Sequence, residues 1–171
     1  MLQYGRGDPG AFETLYGRHK DRLFGYLLRA SGNRDVASEL FQDIWAKVVG
    51  ERENYAVTGT FAGWLYRVAH NRLMDHFRFQ PRQPAALEDI ADPPAPETDE
   101  PERRAQSAHL GLRIVQALAR LPEEQRTAFL LKEEGELSLE EIALATGVGR
   151  ETVKSRLRYA LARLREELAD A

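Results

Sequence analysis

The stretch SLEEIALATGVGRETVKSRLRYALARL, residues 138–164, decides the fold. Ser138 and Glu141 stand at the spacing of a capping box, where the serine hydroxyl and the glutamate carboxylate each take an orphan amide of a helix start. The helix they open turns Ile142 and Ala143 inward and ends at Gly147, where glycine allows the positive φ of a tight turn. The next helix opens at about Gly149, and its spacing predicts burial of Val153, Leu157, Ala160, Leu161 and Leu164. Short helix, glycine turn, longer helix is the helix-turn-helix pattern. The core positions leave Arg150, Glu151, Lys154, Ser155 and Arg158 on the outer face. These residue types suit DNA, because arginine reaches guanine bidentately and lysine supplies charge to phosphates. A solvated basic face competes with this reading on charge alone; the capping box, the glycine turn and the inward spacing together favour DNA contact.

Working outward, the charge is segregated. The 171-residue chain has a net charge of −3, yet Val148–Arg165 holds six bases against Glu151, a local +5. Arg67–Arg82 carries four arginines against Asp75, or +3, with His70 and His76 nearby. Gln83–Glu102 holds seven acids and no base. Six of the eight prolines fall between Pro81 and Pro101, so this stretch cannot form a long helix and reads as a linker. A hydrophobic content of 43% supports real cores on either side. There is no cysteine, which excludes a disulfide framework and a thiolate metal site. The start MLQYGRGDPG is not a signal peptide, and no apolar run approaches the ~18 to 20 residues of a membrane span. A soluble, cytoplasmic protein without a membrane span is expected.

Before the linker the chain reads as helices. Asp8-Pro9 is a start signal, a carboxylate cap followed by proline at the first helical position. Phe12, Leu15, Tyr16, Leu23, Tyr26 and Leu27 recur at helical spacing. A second helix begins near Asp35, with Val36, Leu40, Phe41, Ile44, Trp45 and Val48 on its apolar face and Asp35, Glu39, Gln42 and Asp43 on the other. A third starts near Thr60 and runs toward Pro81. After the linker four helices are expected, over 106–120, 122–134, 138–145 and 150–167. No segment alternates as a strand would. The expected fold is all-α: two small helical domains, 1–80 and 106–171, joined by a Pro/acid-rich linker over 81–105, the second domain carrying the helix-turn-helix.

The fragments LPEEQRTAFLL, SLEEIA and TVKSRL resemble the fourth conserved region of sigma-70-type bacterial RNA polymerase initiation factors, and DVASELFQDIWAKV and GWLYRVAHNRLMDHFR resemble the second. The two blocks follow one another across a linker with no middle domain, as in the small extracytoplasmic-function (ECF) subgroup. The resemblance implies a transcription initiation factor and not an enzyme. Its implied partners are core RNA polymerase, through the largest-subunit clamp coiled coil and the flap of the second subunit, promoter DNA, and an anti-sigma factor. It assigns clamp binding to Asp35, Glu39, Gln42 and Asp43. It assigns single-stranded minus-ten DNA to Tyr55, Thr58, Thr60, Phe61, Arg67, Asn71, Arg72 and Arg78. Duplex minus-thirty-five DNA falls to Arg150, Glu151, Lys154, Ser155, Arg156 and Arg158. A flipped base needs a pocket and the strand a basic path; Asn71 presents both donor and acceptor to a base edge. Trp64 is expected in the core, and Asp75 is expected to orient an arginine. The linker is implied to thread toward the RNA exit path. Ser38 stands where the family more often has an acid, and Gly149 where it usually has serine.

Two other classes remain at this point. An enzyme would need a constellation that the residues do not offer: among His19, His70, His76 and His109 no pair sits four apart, and no glycine-rich phosphate loop is present. No cofactor and no metal is therefore expected. A stand-alone helix-turn-helix regulator would read paired half-sites as a dimer and leaves the first domain without a task.

Overall fold

The computed structural model describes residues 1–80 and 101–169, with the side chains of 101–108 left aside. The linker expected over 81–105 thus lies mostly outside the described residues. Every regular element among them is an α-helix. The first half comprises α1 (Leu2–Gly5), α2 (Pro9–Ser31), α3 (Arg34–Gly50) and α4 (Phe61–Phe79). The second comprises α5 (Pro101–Arg120), α6 (Glu123–Glu133), α7 (Leu139–Thr146) and α8 (Arg150–Ala169).

The helix starts follow the local chemistry. Asp8 accepts from the Gly10 amide at 2.9 Å, with Pro9 at the first helical position. Asn33 accepts from the amides of Asp35 and Val36 at 2.9 and 3.0 Å and opens α3. Thr60 caps α4 through the Gly63 amide at 3.0 Å. Two expectations shift. The short α1 was not foreseen. Helix α5 starts at Pro101, so residues 101–105, read as linker, are helical. Proline at a helix start removes no intrahelical bond, and the Glu-Arg-Arg-Ala that follows favours the helix.

In the first half α2, α3 and α4 pack on one another over Leu23, Tyr26, Leu27, Leu40, Ile44, Leu65 and Leu73, all at most 1% exposed. Each such side chain contributes about 1.5–3 kcal/mol of burial. The second half is built around α8, which packs on α5, α6 and α7 through Val153, Ala160 and Leu164. Leu157 is only half-buried, and Leu161, expected in the core, is 40% exposed, one position off the stripe that Ala160 and Leu164 occupy. The halves also meet each other: α4 lies on α7, and α2 on α6 and α5. The Tyr66 hydroxyl donates to the Glu134 carbonyl at 2.8 Å across that boundary.

Candidate nucleic-acid interface

The turn between α7 and α8 is built as the sequence predicts. Ser138 and Glu141 form the reciprocal capping box, with the Glu141 amide donating to the Ser138 hydroxyl at 3.2 Å and the Ser138 amide to the Glu141 carboxylate at 2.9 Å. Gly147 closes α7 at φ +69°, a left-handed backbone that costs a β-carbon-bearing residue about 1–2 kcal/mol. The Val153 amide donates to the Gly149 carbonyl at 3.1 Å, which makes Gly149 the first residue bonded into α8.

Along α8, Arg150, Glu151, Lys154 and Arg158 are exposed on one face. Ser155 and Arg156 are half-buried and flank it, because they lie a quarter turn or more from the 150–154–158 line. The face is not a row of free cations. The Arg150 guanidinium donates to Glu140 of α7 at 2.5 Å and approaches Glu151 at 3.3 Å. Lys154 lies 3.8 Å from Glu151. The Arg158 guanidinium sits 4.9 Å from the Tyr159 ring centre and donates to its hydroxyl at 3.3 Å. A hydrogen bond within its own residue and then the Arg150 guanidinium hold the Glu140 carboxyl below the usual carboxylate range. Glu140 and Tyr159 were missed by the sequence reading. Their partners are set by the angle between α7 and α8 and by a neighbour's rotamer, and neither has a spacing signature.

Helix α4 carries the second face. Arg67, Asn71 and Arg78 are exposed along it, and Arg78 lies 3.5 Å from Asp75. At its start, Thr58 and Thr60 are exposed, while Tyr55 and Phe61 are half-buried. Tyr55, Phe61 and Trp64 form one aromatic group, with Tyr55–Trp64 centroids 5.3 Å apart and Phe61–Trp64 5.8 Å. His19 of α2 adds a contact 5.3 Å from Phe61. Trp64 is thus half-buried at the edge of the core, not within it. Thr58, Gly59, Thr60, Trp64 and Arg67 line a pocket whose far wall is Glu141 and Leu144 of α7.

Glu141 joins the two faces. Besides capping α7, it accepts a hydrogen bond from the Thr60 hydroxyl. It presses on α4 where Gly63 stands, and a β-carbon there would meet its carboxylate oxygen at 2.7 Å. Burial pushes this carboxyl up, but the hydrogen bonds from Thr60 and Ser138 and the charge of Lys132 outweigh it and hold it below its ordinary value.

On α3, Asp35, Glu39 and Gln42 are exposed in one row, as predicted. Asp43 is turned toward α4, where it accepts from Arg72 Nε at 3.1 Å and also from its Nη2. Two residues expected at separate interfaces, Asp43 for the clamp and Arg72 for DNA, are therefore partners of each other. Among the described residues no group of three or more histidines or carboxylates is placed to hold a metal ion. No helix there is long and apolar enough to cross a membrane.

Comparison with known proteins covers both faces. The family model "Sigma-70 region 2" matches residues 15–83, and "Sigma-70, region 4" matches 111–164. The chain is 36% identical over 168 residues to the ECF RNA polymerase sigma factor SigE of Mycolicibacterium smegmatis, covering 95% of the chain and 65% of that protein. It is 33% identical to the ECF RNA polymerase sigma factor RpoE of Cereibacter sphaeroides, over 95% of the chain and 88% of that protein. The chain thus spans just under two thirds of the first of these relatives and most of the second. In fold it resembles the sigma factor RpoE of Bartonella quintana, solved with the anti-sigma factor NepR. The TM-score is 0.72 at 21% identity, over 93% of this chain and 97% of that one. It also resembles CnrH, solved with the cytosolic domain of CnrY, with a TM-score of 0.71 at 23% identity over 99% and 95% of the two chains.

Proposed function

Because the chain belongs to the sigma-70 family of RNA polymerase sigma factors, in its ECF subgroup, we propose that its two helical halves divide the reading of a promoter between them. It is a transcription initiation factor that directs core RNA polymerase to promoters, and a stand-alone regulator would leave the matched second region without a task. The first half, 1–80, binds core polymerase and melts the minus-ten element; the second, 106–171, reads the minus-thirty-five element as duplex.

The observation that carries this division is the pair of exposed faces on separate halves. Arg150, Lys154 and Arg158 lie one turn apart on a helix that Gly147 turns outward. That geometry suits a major groove, where Arg158 or Arg150 can bond a guanine and Lys154 a phosphate. Glu151, paired with Arg150 and Lys154, can accept from a cytosine amino group once DNA competes for those cations. On α4, Arg67, Asn71 and Arg78 follow a strand path beginning at the pocket of Thr58 and Thr60, and Tyr55, Phe61 and Trp64 supply ring surface for an unstacked base. Arg72 serves that path only after releasing Asp43.

The row Asp35, Glu39 and Gln42 is the docking face for the basic clamp coiled coil of the largest subunit, with Asp43 at its margin, and the second half meets the flap of the second subunit. An acidic row suits a basic helix and raises the rate of encounter. An anti-sigma factor, as in the complex of RpoE with NepR, is the regulatory partner. The work is done in the cytoplasm beside the polymerase and involves no catalytic residue and no cofactor.

The test is reconstituted transcription with core polymerase on promoters identified by mapping transcript starts after induced expression. Arg158→Ala should relax preference at one upstream position at a cost of ~1–3 kcal/mol. Lys154→Ala should weaken all sequences alike and flatten the salt dependence by about one unit. A chain that neither binds core polymerase nor changes its start sites refutes the function. An Arg158→Ala variant with unchanged affinity and preference reduces the α8 face to a solvated one.

A further inference from the structure

The outer face of α8 begins at Arg150, and this side chain is held from the side before any DNA arrives. Its Nε donates to the Glu140 carboxylate at 2.5 Å, and its Nη1 lies 3.3 Å from Glu151. Glu140 stands in the first turn of α7 and Arg150 is the first residue of α8, so the Nε bond crosses the glycine turn between them. Among the described residues Nη2 of Arg150 makes no hydrogen bond. A guanidinium has five N–H donors, and the two contacts leave three of them on the Nη nitrogens, enough for the fork that takes guanine O6 and N7. Arg158 is held differently. It donates to the Tyr159 hydroxyl through Nη2, a nitrogen of the tip itself.

The Arg150 and Glu140 side chains are 52% and 62% exposed, so their pairing stabilises the free chain little. DNA seated on α8 removes water from the pair, and the attraction strengthens as the local dielectric falls. The bond to Nε fixes the plane of the guanidinium, and a side chain already in place loses less freedom on binding. From this geometry we propose that Glu140 is a positioning residue for promoter reading: it holds Arg150 by Nε and leaves the tip nitrogens to take a guanine of the upstream element. The inference rests on the assignment of α8 to duplex minus-thirty-five DNA. Glu140 itself touches no base. Two simpler roles compete. As a bare carboxylate beside the groove it would repel phosphates whatever the sequence. As a brace across the turn it would contribute only to stability. Neither role separates one base pair of the site from the others.

The test compares holoenzymes assembled from core polymerase and the full-length chain: wild type, Glu140→Ala, Glu140→Gln, Arg150→Ala, and the double variant Glu140→Ala with Arg150→Ala. Each is mixed with a duplex library built on a promoter mapped from transcript starts and randomised across the upstream element, and the bound fraction is sequenced. Arg150→Ala should cut the preference for guanine at one position about tenfold. Glu140→Ala should cut it at the same position by about threefold or more, and the double variant should fall no further than Arg150→Ala. Alanine and glutamine remove the same charge, so phosphate repulsion alone makes those two variants equal. The glutamine oxygen can still accept from Nε, so Glu140→Gln should keep a preference nearer to wild type. An undiminished preference in Glu140→Ala, a loss at a different position, or a further loss in the double variant overturns the positioning. So does a Glu140→Gln variant as defective as the alanine. A loss spread evenly over all positions, with a lowered melting temperature, makes Glu140 a brace and overturns it too. In each of these cases the wild-type holoenzyme still enriches its upstream element, which failure of the proposed function would abolish.

Discussion

Asp43 is the residue at which the proposed clamp face and the fold meet, and reversing its charge tests the two separately. In the structure it binds Arg72 through two guanidinium nitrogens, with the side chains 39% and 48% exposed. A pair so open to water contributes only ~0.2–1 kcal/mol to stability. Asp43→Arg removes that contribution and sets two cations side by side between α3 and α4, a cost of the same order. Urea unfolding should therefore show a loss of ~0.4–2 kcal/mol with an unchanged slope. Core polymerase binding should respond more strongly, because a carboxylate desolvated against a basic helix contributes ~2–5 kcal/mol when its loss leaves the partner unpaired. A fall of more than about tenfold in affinity, measured by fluorescence titration of core without DNA, is the expected result. Adding Arg72→Asp rebuilds the ion pair with its polarity reversed. Stability should return and core affinity should not. If the exchange restores core affinity as well, the carboxylate at 43 acts only by holding α3 against α4, and the clamp face consists of Asp35, Glu39 and Gln42 alone.

Three further outcomes follow from single sites. Gly147→Ala meets no atom within 4 Å, so its effect is the left-handed φ of +69° alone: a loss of ~1–2 kcal/mol by thermal unfolding, and less for Gly147→Asn; a loss near zero would mean that the α7–α8 turn relaxes freely. Asn71→Ala, at an exposed position, should change stability by less than ~0.5 kcal/mol yet impair promoter opening in permanganate footprints. A normal footprint on both linear and pre-melted templates removes Asn71 from the minus-ten set. Burial holds His70 below its ordinary pKa of 6.5, beside the Tyr26 hydroxyl at 3.4 Å, so the unfolded chain takes up the proton first. The neutral His70 thus favours folding fully above pH ~6.5, and this is lost as pH falls below that value toward the lower folded pKa. His70→Phe should shallow the acid slope without abolishing it, because burial lowers His19 too; an unaltered slope would place the linkage elsewhere.

What the sequence by itself determined lies in short-range signals. Asp8, Thr60, the Ser138–Glu141 box and Gly147 each act on a backbone within a few residues, so the helix ends they mark are where they were expected. The 150–154–158 line and the Asp35–Glu39–Gln42 row follow from helical periodicity, which tertiary packing does not alter. Tertiary structure decided which of these polar groups are already engaged. Asp43 and Arg72 lie 29 positions apart, Arg29 and Glu134 105, and Thr60 and Glu141 81, and no local pattern relates them. The same holds for Leu161, whose exposure depends on where α5 and α6 leave α8 uncovered. Glu141 shows the division within one side chain. Its cap was legible because the serine it answers is three residues away. Its hold on Thr60 and the pocket beside it was not, because that depends on the packing of α7 against α4, a free-energy balance over the whole molecule.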